Sequence, residues 1–209
     1  MIHKSRSSID TVDVARRKRQ IANACSRIIA ENGLEAASLR AIAHELGCTT
    51  GVITHYFRDK NAMLDFVLEE IGGRIFEHIS TPDLRHQSVD ECIAFILKML
   101  PNSPEQASWW KVWLAFMATS LGDRKFATDH HRLYGKLRDD WQQVIGGLIA
   151  NEVISPFDKT ADEAAALLAL IDGIGIQTLI SPDLFPVERQ AEMLQRWWSS
   201  LPRVSEPRG

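Results

Sequence analysis

Short polar side chains are concentrated in one segment of the chain, Thr49-Thr50-Gly51, with Thr54 and His55 following one helical turn later. Hydroxyl and imidazole groups of this kind donate to phosphate oxygens and to the edges of bases in a DNA groove. A glycine among them lets the backbone approach such a surface closely. These residue types and their spacing indicate a surface for nucleic acid, provided that the local structure turns the side chains outward.

Two short amphipathic helices are predicted to hold this segment. The first begins after Ser38, and its apolar residues follow the i, i+3, i+4, i+7 spacing: Leu39, Ile42, Ala43 and Leu46. Gly47 ends it, and the second helix is predicted from about Thr50 to Phe57. Its buried side is assigned to Val52, Ile53, Tyr56 and Phe57. The arrangement is a helix-turn-helix, and its outer side is formed by Thr50, Gly51, Thr54 and His55.

Charge at the helix ends favours the same interpretation. The second helix begins with unpaired amides and the positive end of its dipole, where Thr49 and Thr50 can cap it and donate to phosphates. Lys60, which begins the next helix, and Arg17, in the basic run 16–19, can also reach phosphates. The pattern alone leaves another interpretation open, because similar helical hairpins occur in proteins that never bind DNA, and a basic run is commonly a solvated face.

The remainder of the chain has the helical period, with no sustained alternation typical of strands. The sequence therefore predicts an all-α protein of about nine helices. The first is predicted to begin at Thr11 or Asp13, and the fourth to continue towards Ile79. Five more are predicted at residues 89–100, 105–121, 126–150, 162–180 and 187–201.

Composition and charge limit the class of protein. The 209 residues are 45% hydrophobic and 24% charged, which is typical of a folded soluble chain. Residues 1–60 hold 10 basic and 6 acidic residues, a net charge of +4, although the whole chain has a net charge of −3. Three separated cysteines and a start without an apolar signal segment predict a reduced, cytoplasmic setting. The longest apolar run, residues 164–180, is interrupted by polar residues and glycines, so it is predicted to be a buried helix and no membrane partner is expected.

Residues 14–70 resemble the amino-terminal domain of TetR-type transcriptional repressors. The matching residues are Ser38, Ile42-Ala43, Gly47-Cys48-Thr49-Thr50-Gly51, His55-Tyr56-Phe57 and Lys60. The resemblance implies a homodimer that binds a double-stranded DNA operator through residues 1–60. It also implies that residues 61–209 form a helical domain for dimerisation and for a small-molecule inducer. Ser38 and Tyr56 join the expected DNA-binding residues on this ground, whereas Thr54 stands where many relatives carry a phosphate-contacting Tyr.

The segment GVITHYFRDKNAML is closest in form to the choline-sensing repressors of glycine betaine synthesis, and residues 111–121 and 168–180 are similar to their regulatory domain. This resemblance implies a quaternary ammonium inducer such as choline or betaine aldehyde. No cofactor and no metal site are expected. His130 and His131 are adjacent, so they point in different directions on a helix, and a solvated surface pair is predicted.

Aromatic residues in the middle of the chain are candidates for the inducer site: Trp109, Trp110, Trp113, Phe116 and Trp141. Aromatic faces attract cations, and several around one cavity can hold a quaternary ammonium ion. A core stripe is the alternative, since Trp109, Trp113 and Phe116 share one face of a helix. Asp172 is an acid within an apolar helix; it can balance a ligand cation, pair across a dimer or accept from backbone amides.

The last two helices are the expected dimer interface. Gly173 and Gly175 allow close helix approach, and apolar area comes from Leu168, Ile171, Leu179, Trp197 and Trp198. The alternative is that these residues pack inside one subunit.

An enzyme is a competing class, but the sequence contains no Gly-rich phosphate loop, no G-x-S-x-G and no HExxH. The sequence therefore predicts a dimeric, ligand-responsive DNA-binding repressor that is not an enzyme. A helical small-molecule-binding protein without DNA function is the alternative, raised by Thr54.

Overall fold

The structure is a computed structural model that describes residues 6–76, 88–122 and 124–201. Within these ranges, the regular elements are nine α-helices and two short 3-10 helices, with no strand. The α-helices are α1 (Arg6–Asn32), α2 (Leu39–Glu45), α3 (Thr50–Tyr56), α4 (Lys60–Phe76), α5 (Val89–Met99), α6 (Pro104–Ser120), α7 (Arg124–Ala150), α8 (Thr160–Ile180) and α9 (Val187–Ser200). The all-α prediction is confirmed for this part of the chain.

Helix α1 begins earlier than its sequence pattern predicts. The predicted start at Thr11 or Asp13 is wrong, because the helix already includes Arg6. No proline or glycine interrupts residues 6–13, and Asp13 lies inside the helix, where its carboxylate accepts a hydrogen bond from Arg16 at 3.0 Å. Asp13 is thus one partner of a surface i, i+3 ion pair and does not cap the helix.

Helices α2 and α3 form the predicted helix-turn-helix. Ser38 caps α2, and its Oγ accepts from the Ala41 amide at 3.1 Å. Gly47 follows the helix with a φ of 62°, and the next amide, that of Cys48, donates back to the Ala43 carbonyl at 2.9 Å. This way of closing a helix requires a left-handed residue, so the sharp turn depends on a glycine at position 47.

Side-chain caps also fix the starts of α4 and α5. Asp59 accepts from the Ala62 amide at 2.7 Å, and Ser88 forms a reciprocal capping box with Glu91. The ends of α5 to α9 lie within two residues of their predicted positions. The predicted continuation of α4 towards Ile79 lies outside the described residues.

Contacts divide the chain into two compact units, one formed by residues 1–74 and 108–122, the other by residues 75–107 and 123–209. In the first unit, α1, α2 and α3 pack on one another. Their fully buried residues include Ile21, Cys25, Ile42 and Ile53. A functional boundary at residue 60 stays a prediction.

In the second unit, α7 packs along α8, and α5 packs against α9. Leu137 of α7 and Leu168 of α8 are buried together. Partly buried side chains surround this pair: Phe95, Met99, Leu133 and Tyr134. The pairing sets α7 and α8 in register, and this register determines which polar side chains on the two helices meet.

A pair of amide side chains, buried Gln190 and exposed Asn102, joins the α5–α6 connection to α9. Gln190 is 0% exposed, and its Nε2 donates to Asn102 Oδ1 at 2.8 Å while Asn102 Nδ2 donates to Gln190 Oε1 at 3.0 Å. The second hydrogen of Gln190 Nε2 reaches the Phe185 carbonyl at 2.8 Å. Both ends of the buried amide are therefore satisfied, as its burial requires.

Candidate nucleic-acid interface and ligand site

Helix α3 presents a polar face to solvent and an apolar face to the core of its unit. Ile53 is 0% exposed and Phe57, which ends the helix, is 4% exposed. The other face consists of exposed residues, Thr50, Gly51, Thr54 and His55. These four residues point outward as predicted, and their contact with DNA stays a prediction.

Thr49 occupies the N-cap position of α3 in extended backbone conformation, but its side chain makes no capping hydrogen bond. The predicted side-chain cap is therefore not formed. Its Oγ1 lies 3.6 Å from the position that a Cβ would take on Gly51, so the hydroxyl sits beside the glycine. Thr49 and Thr50 are both exposed, which leaves two hydroxyls at the start of α3 open to an approaching ligand.

The hydroxyl of Thr54 is turned towards its own helix, since it donates to the Gly51 carbonyl at 3.2 Å. This bond competes with the donation to phosphate that the sequence suggested. Tyr56 was assigned to the buried side but is only half-buried, as is Val52. The ring of Tyr56 meets that of exposed His55 edge-on, with the centroids 5.0 Å apart, and so supports it from one side.

The basic residues near α3 differ in their surroundings. Lys60 is the first residue of α4 and is half-buried. Arg17 is half-buried and donates to Gln20 Oε1 at 2.9 Å. Lys18, also half-buried, has its Nζ over the ring of Phe57 at 5.5 Å from the centroid. Membership of the basic run therefore does not give these side chains a common role.

The aromatic residues of α6 are mostly buried. Trp110, Trp113 and Phe116 are 7%, 5% and 0% exposed, and Trp109 is half-buried. Burial supports a core role for the first three. All four belong to the first unit, whereas Trp141 and Asp172 belong to the second, so one cavity shared by the whole set stays a prediction.

Asp172 has a partner that the sequence did not identify. The Tyr134 hydroxyl donates to Asp172 Oδ2 at 2.7 Å, from α7 to α8. Burial raises the pKa of the Asp172 carboxyl to about 6, and the hydrogen bond from Tyr134 opposes this rise. The pair could have been found only from the register of two helices, since neither helix alone places Tyr134 opposite Asp172.

Trp141 lies in the core of the same unit. Its side chain is 0% exposed, and its ring centroid is 6.2 Å from that of Phe95. Its indole Nε1 is buried and has no hydrogen-bond partner in the part of the chain that the structure describes. An unsatisfied indole N–H is unusual inside a protein, so Trp141 is the aromatic candidate with a polar group left to offer.

The prediction of a solvated His130-His131 pair is wrong for one of the two residues. His131 is exposed, but His130 is 7% exposed and its ring lies 5.6 Å from that of Tyr134. His130 is buried because it lies one helical turn before Tyr134, on the face of α7 that points into the unit. Burial lowers the pKa of His130, which favours the neutral imidazole.

Part of the predicted dimer interface is instead core of the single subunit. Leu168, Ile171 and Trp198 are 6%, 3% and 3% exposed, because they lie on the inward faces of α8 and α9. Gly175 is also buried, while Gly173 is exposed and a Cβ added to it would meet nothing within 4 Å. The outward face of α8 is therefore different from the one that the sequence suggested.

Two of the cysteines are buried and unreactive, and the described residues form no metal cluster. Burial raises the pKa of the Cys25 and Cys92 thiols to about 12, so both remain protonated at neutral pH. Within residues 6–76, 88–122 and 124–201, no three His, Cys, Asp or Glu side chains come together as a metal site.

The fold and the exposed second helix of the helix-turn-helix define a class of protein, the helical DNA-binding regulators. Residues 21–67 match the family described as bacterial regulatory proteins, tetR family. Residues 90–202 match the carboxy-terminal domain of BetI-type transcriptional repressors. The chain belongs to the TetR family of transcriptional regulators, with a BetI-type carboxy-terminal part. The predictions of a ligand-responsive DNA-binding regulator and of a protein that is not an enzyme are confirmed by this membership.

Individual relatives agree with the family. The transcriptional regulator PksA of Bacillus subtilis (strain 168) is 28% identical over 173 residues, which cover 82% of each chain. The regulator BetI of Yersinia pestis (strain Pestoides F) is 26% identical over 191 residues, 85% of this chain and 87% of BetI.

Solved structures share the fold. A transcriptional regulator from Rhodococcus sp. Rha1 has a TM-score of 0.76 at 24% identity, covering 88% of this chain and 95% of that one. A putative transcriptional regulator from Saccharomonospora viridis, solved in complex with choline, has a TM-score of 0.76 at 21% identity, covering 89% and 97%.

Proposed function

We propose that the chain is a cytoplasmic homodimeric repressor that binds its operator through α3 of each subunit and releases it when a small organic cation binds. The observation that carries the proposal is the two-sided character of α3. Ile53 and Phe57 anchor it in the core, and Thr50, Gly51 and His55 stay exposed. A rigidly anchored helix with a short-chained polar face suits the major groove.

Roles on DNA follow from position. Thr50 and His55 lie on the outer face of α3 and are assigned to base edges, with Gly51 allowing close approach. Thr54 lies on the same face but must give up its bond to Gly51 before it can donate to DNA, and Thr49 and Tyr56 flank the face. Phosphate contacts are assigned to the residues around α3: Arg17, Ser38 and Lys60.

The proposed dimer forms through the outward face of α8. This face consists of residues at helical spacing that are all exposed: Ala166, Ala169, Gly173, Gln177 and Ile180. The helix is long and apolar enough to cross a membrane by length and composition, yet only 39% of its most apolar 18-residue window is buried within the subunit. An apolar helix face that is exposed in the subunit commonly packs against a partner. Because two recognition helices must lie one DNA turn apart, we propose that this partner is a second copy of the chain.

The proposed inducer is a quaternary ammonium compound such as choline or betaine aldehyde. The likeness to a regulator that binds choline supports this choice. Two features of the chain agree with it. Asp172 is an acid in an apolar environment, where a ligand cation compensates the charge better than water does. Among the aromatic candidates, Trp141 lies in the same unit as Asp172 and is the side chain proposed to face the ammonium group.

Induction then requires that the cation bind more tightly to a dimer whose α3 helices no longer fit the operator. Helix α4 is the proposed connection, because it begins at Lys60, four residues after the last residue of α3, and continues to Phe76. The shift in operator affinity cannot exceed the preference of the inducer for one conformation over the other.

A duplex selected from a random pool tests the DNA function, and a thermal-shift screen of choline, betaine aldehyde and spermidine tests the inducer. We expect one sequence to be enriched, an affinity that falls steeply with salt, and a rise in melting temperature with choline that Asp172→Asn reduces. Enrichment of no duplex would refute the repressor. A shift with spermidine alone would refute the quaternary ammonium inducer and leave the repressor standing.

A further inference from the structure

The ammonium group of Lys18 lies over two aromatic rings in the DNA-reading unit. Its Nζ is 5.5 Å from the ring centroid of Phe57 and 5.8 Å from that of Phe66. The two rings are themselves 5.5 Å apart, inclined at 56°. Lys18 belongs to α1, Phe57 ends α3 and Phe66 belongs to α4, so one side chain joins three helices.

The basic neighbours of Lys18 are placed differently. Arg16 is exposed and bonds to Asp13, and Arg17 bonds to Gln20. Both bonds stay within α1. Among residues 16–18, Lys18 is therefore the one whose described contacts reach other helices.

We propose that Lys18 is a positioning residue, which fixes the carboxyl end of recognition helix α3 against α1 and α4 and makes no phosphate contact. The inference rests on the proposed DNA function of α3. A cation over a ring face is attracted by the ring quadrupole, and the attraction is directional because the cation must stay over the face. Phe57 is the residue at which α3 ends, and its amide still donates to the Ile53 carbonyl at 3.0 Å, so the ring and the helix move together.

The arrangement also links α4 to the reading head. Phe66 lies on α4, and its ring contacts both Phe57 and Lys18. A displacement of α4 that carries Phe66 away removes part of the support of α3. Lys18 is thus placed to make the position of α3 depend on the position of α4.

Salt titration distinguishes a positioning residue from a phosphate contact. In the full-length protein, Lys18→Met keeps an aliphatic stem and removes the charge. Its affinity for a duplex selected by the wild type is expected to fall about 3- to 30-fold, with the slope of log K against log salt unchanged. Arg17→Met, at an assigned phosphate contact, is expected to reduce that slope by about 0.9. A slope reduced by this amount in Lys18→Met, or an unchanged affinity, overturns the inference.

Two more variants test the ring contact itself. Lys18→Arg keeps a cation over the rings and is expected to restore most of the affinity. Phe66→Leu removes one of the two rings and leaves Lys18 over Phe57, so combining it with Lys18→Met is expected to cost less than the sum of the two single losses. Fully additive losses, or a Lys18→Arg variant as weak as Lys18→Met, overturn the role of Lys18. If the wild type selects no duplex at all, the proposed DNA function is refuted. That result differs from the two outcomes that refute only the role of Lys18.

Discussion

The hydroxyl of Tyr134 donates a 2.7 Å hydrogen bond to Oδ2 of Asp172 and so places a polar link between α7 and α8. The apolar pair Leu137 and Leu168 lies nearby on the same two helices. Burial of the carboxyl outweighs the hydrogen bond, since the pKa of Asp172 is raised to about 6. At neutral pH the subunit therefore holds a carboxylate that costs stability and that a cation can compensate.

Asp172→Asn is expected to stabilise the free protein above pH 6. The folded-state pKa of Asp172, about 6, exceeds the ordinary value of 3.8, so the folded chain binds a proton more tightly than the unfolded chain does. The contribution of Asp172 to stability is therefore most favourable below about pH 4 and is lost as the pH rises to about 6. We expect Asp172→Asn to exceed wild type by about 2–3 kcal/mol at pH 7.5 and to match it near pH 4, as measured by urea unfolding.

The matched variant is Tyr134→Phe, which leaves the carboxyl and removes its hydrogen-bond donor. Because that bond lowers the pKa of Asp172, its loss is expected to move the pH-dependent step of wild type to higher pH. The raised pKa of Asp172 would be contradicted if wild type and Asp172→Asn differed in stability by the same amount at pH 4 and at pH 7.5.

Choline binding is expected to strengthen as the pH rises through about 6, if Asp172 faces the ligand cation as proposed. Below that pH the carboxyl is protonated and gives the cation no charge, so the affinity falls up to tenfold per pH unit. Calorimetric titrations at pH 5 and pH 7 measure the effect. Asp172→Asn should bind weakly at both values, and equal affinity of the wild type at the two values would remove Asp172 from the ligand site.

The DNA-reading unit was predictable from sequence because its signals are local. Ser38 caps α2 by a bond three residues away, and Gly47 ends it with the left-handed conformation that glycine favours. The exposed face of α3 follows from a single helical period. The predicted start of α1 was wrong because the residues before it include no proline or glycine, so the helix begins earlier.

The rest depended on how separate helices pair, and one helix at a time cannot show this. The periodicity of α8 marks Leu168 and Ile171 as apolar but not whether α7 or a second subunit covers them. Packing of α7 on α8 makes them core and brings Tyr134 to Asp172. His130 was assigned to the surface for the same reason, since its burial depends on the orientation of α7 within its unit.

Thr50→Ala and His55→Ala are expected to weaken binding to the selected duplex by about 1–3 kcal/mol each and to relax sequence preference at particular base pairs. Both side chains are exposed, so the fold and melting temperature should stay within the usual range for surface substitutions. Thr128→Ala is the control, because Thr128 is an exposed helical threonine whose hydroxyl donates to its own helix, at the Arg124 carbonyl. Competition binding against single-base variants of the duplex measures the change. Uniform weakening on all sequences would show phosphate contact instead of base reading.

Ile180→Glu is expected to give a monomer. Ile180 is 70% exposed at the end of the outward face of α8, so the charge does no harm to the subunit but is desolvated in the proposed dimer. We expect dimer dissociation to become at least about 100-fold easier, as measured by light scattering over a dilution series. Leu121→Glu is the control, since Leu121 is 91% exposed and follows the end of α6, so it is not part of the proposed interface on α8. A dimer that tolerates Ile180→Glu as well as Leu121→Glu would show that α8 is not the interface.

Gln190→Leu is expected to destabilise the protein by about 2–4 kcal/mol, although leucine fits a buried site. The substitution removes the two hydrogen bonds to Asn102 and the donor to the part-buried Phe185 carbonyl, and a polar group that loses its partner away from water is costly. Gln142→Leu is the matched control, because exposed Gln142 makes one long hydrogen bond of 3.5 Å to Thr160 and should change stability by less than about 0.5 kcal/mol. Urea unfolding of both variants measures the difference. If the two glutamines prove equally tolerant, the amide pair contributes no more to the fold than a surface contact, and α9 is held to the α5–α6 connection by its apolar face alone.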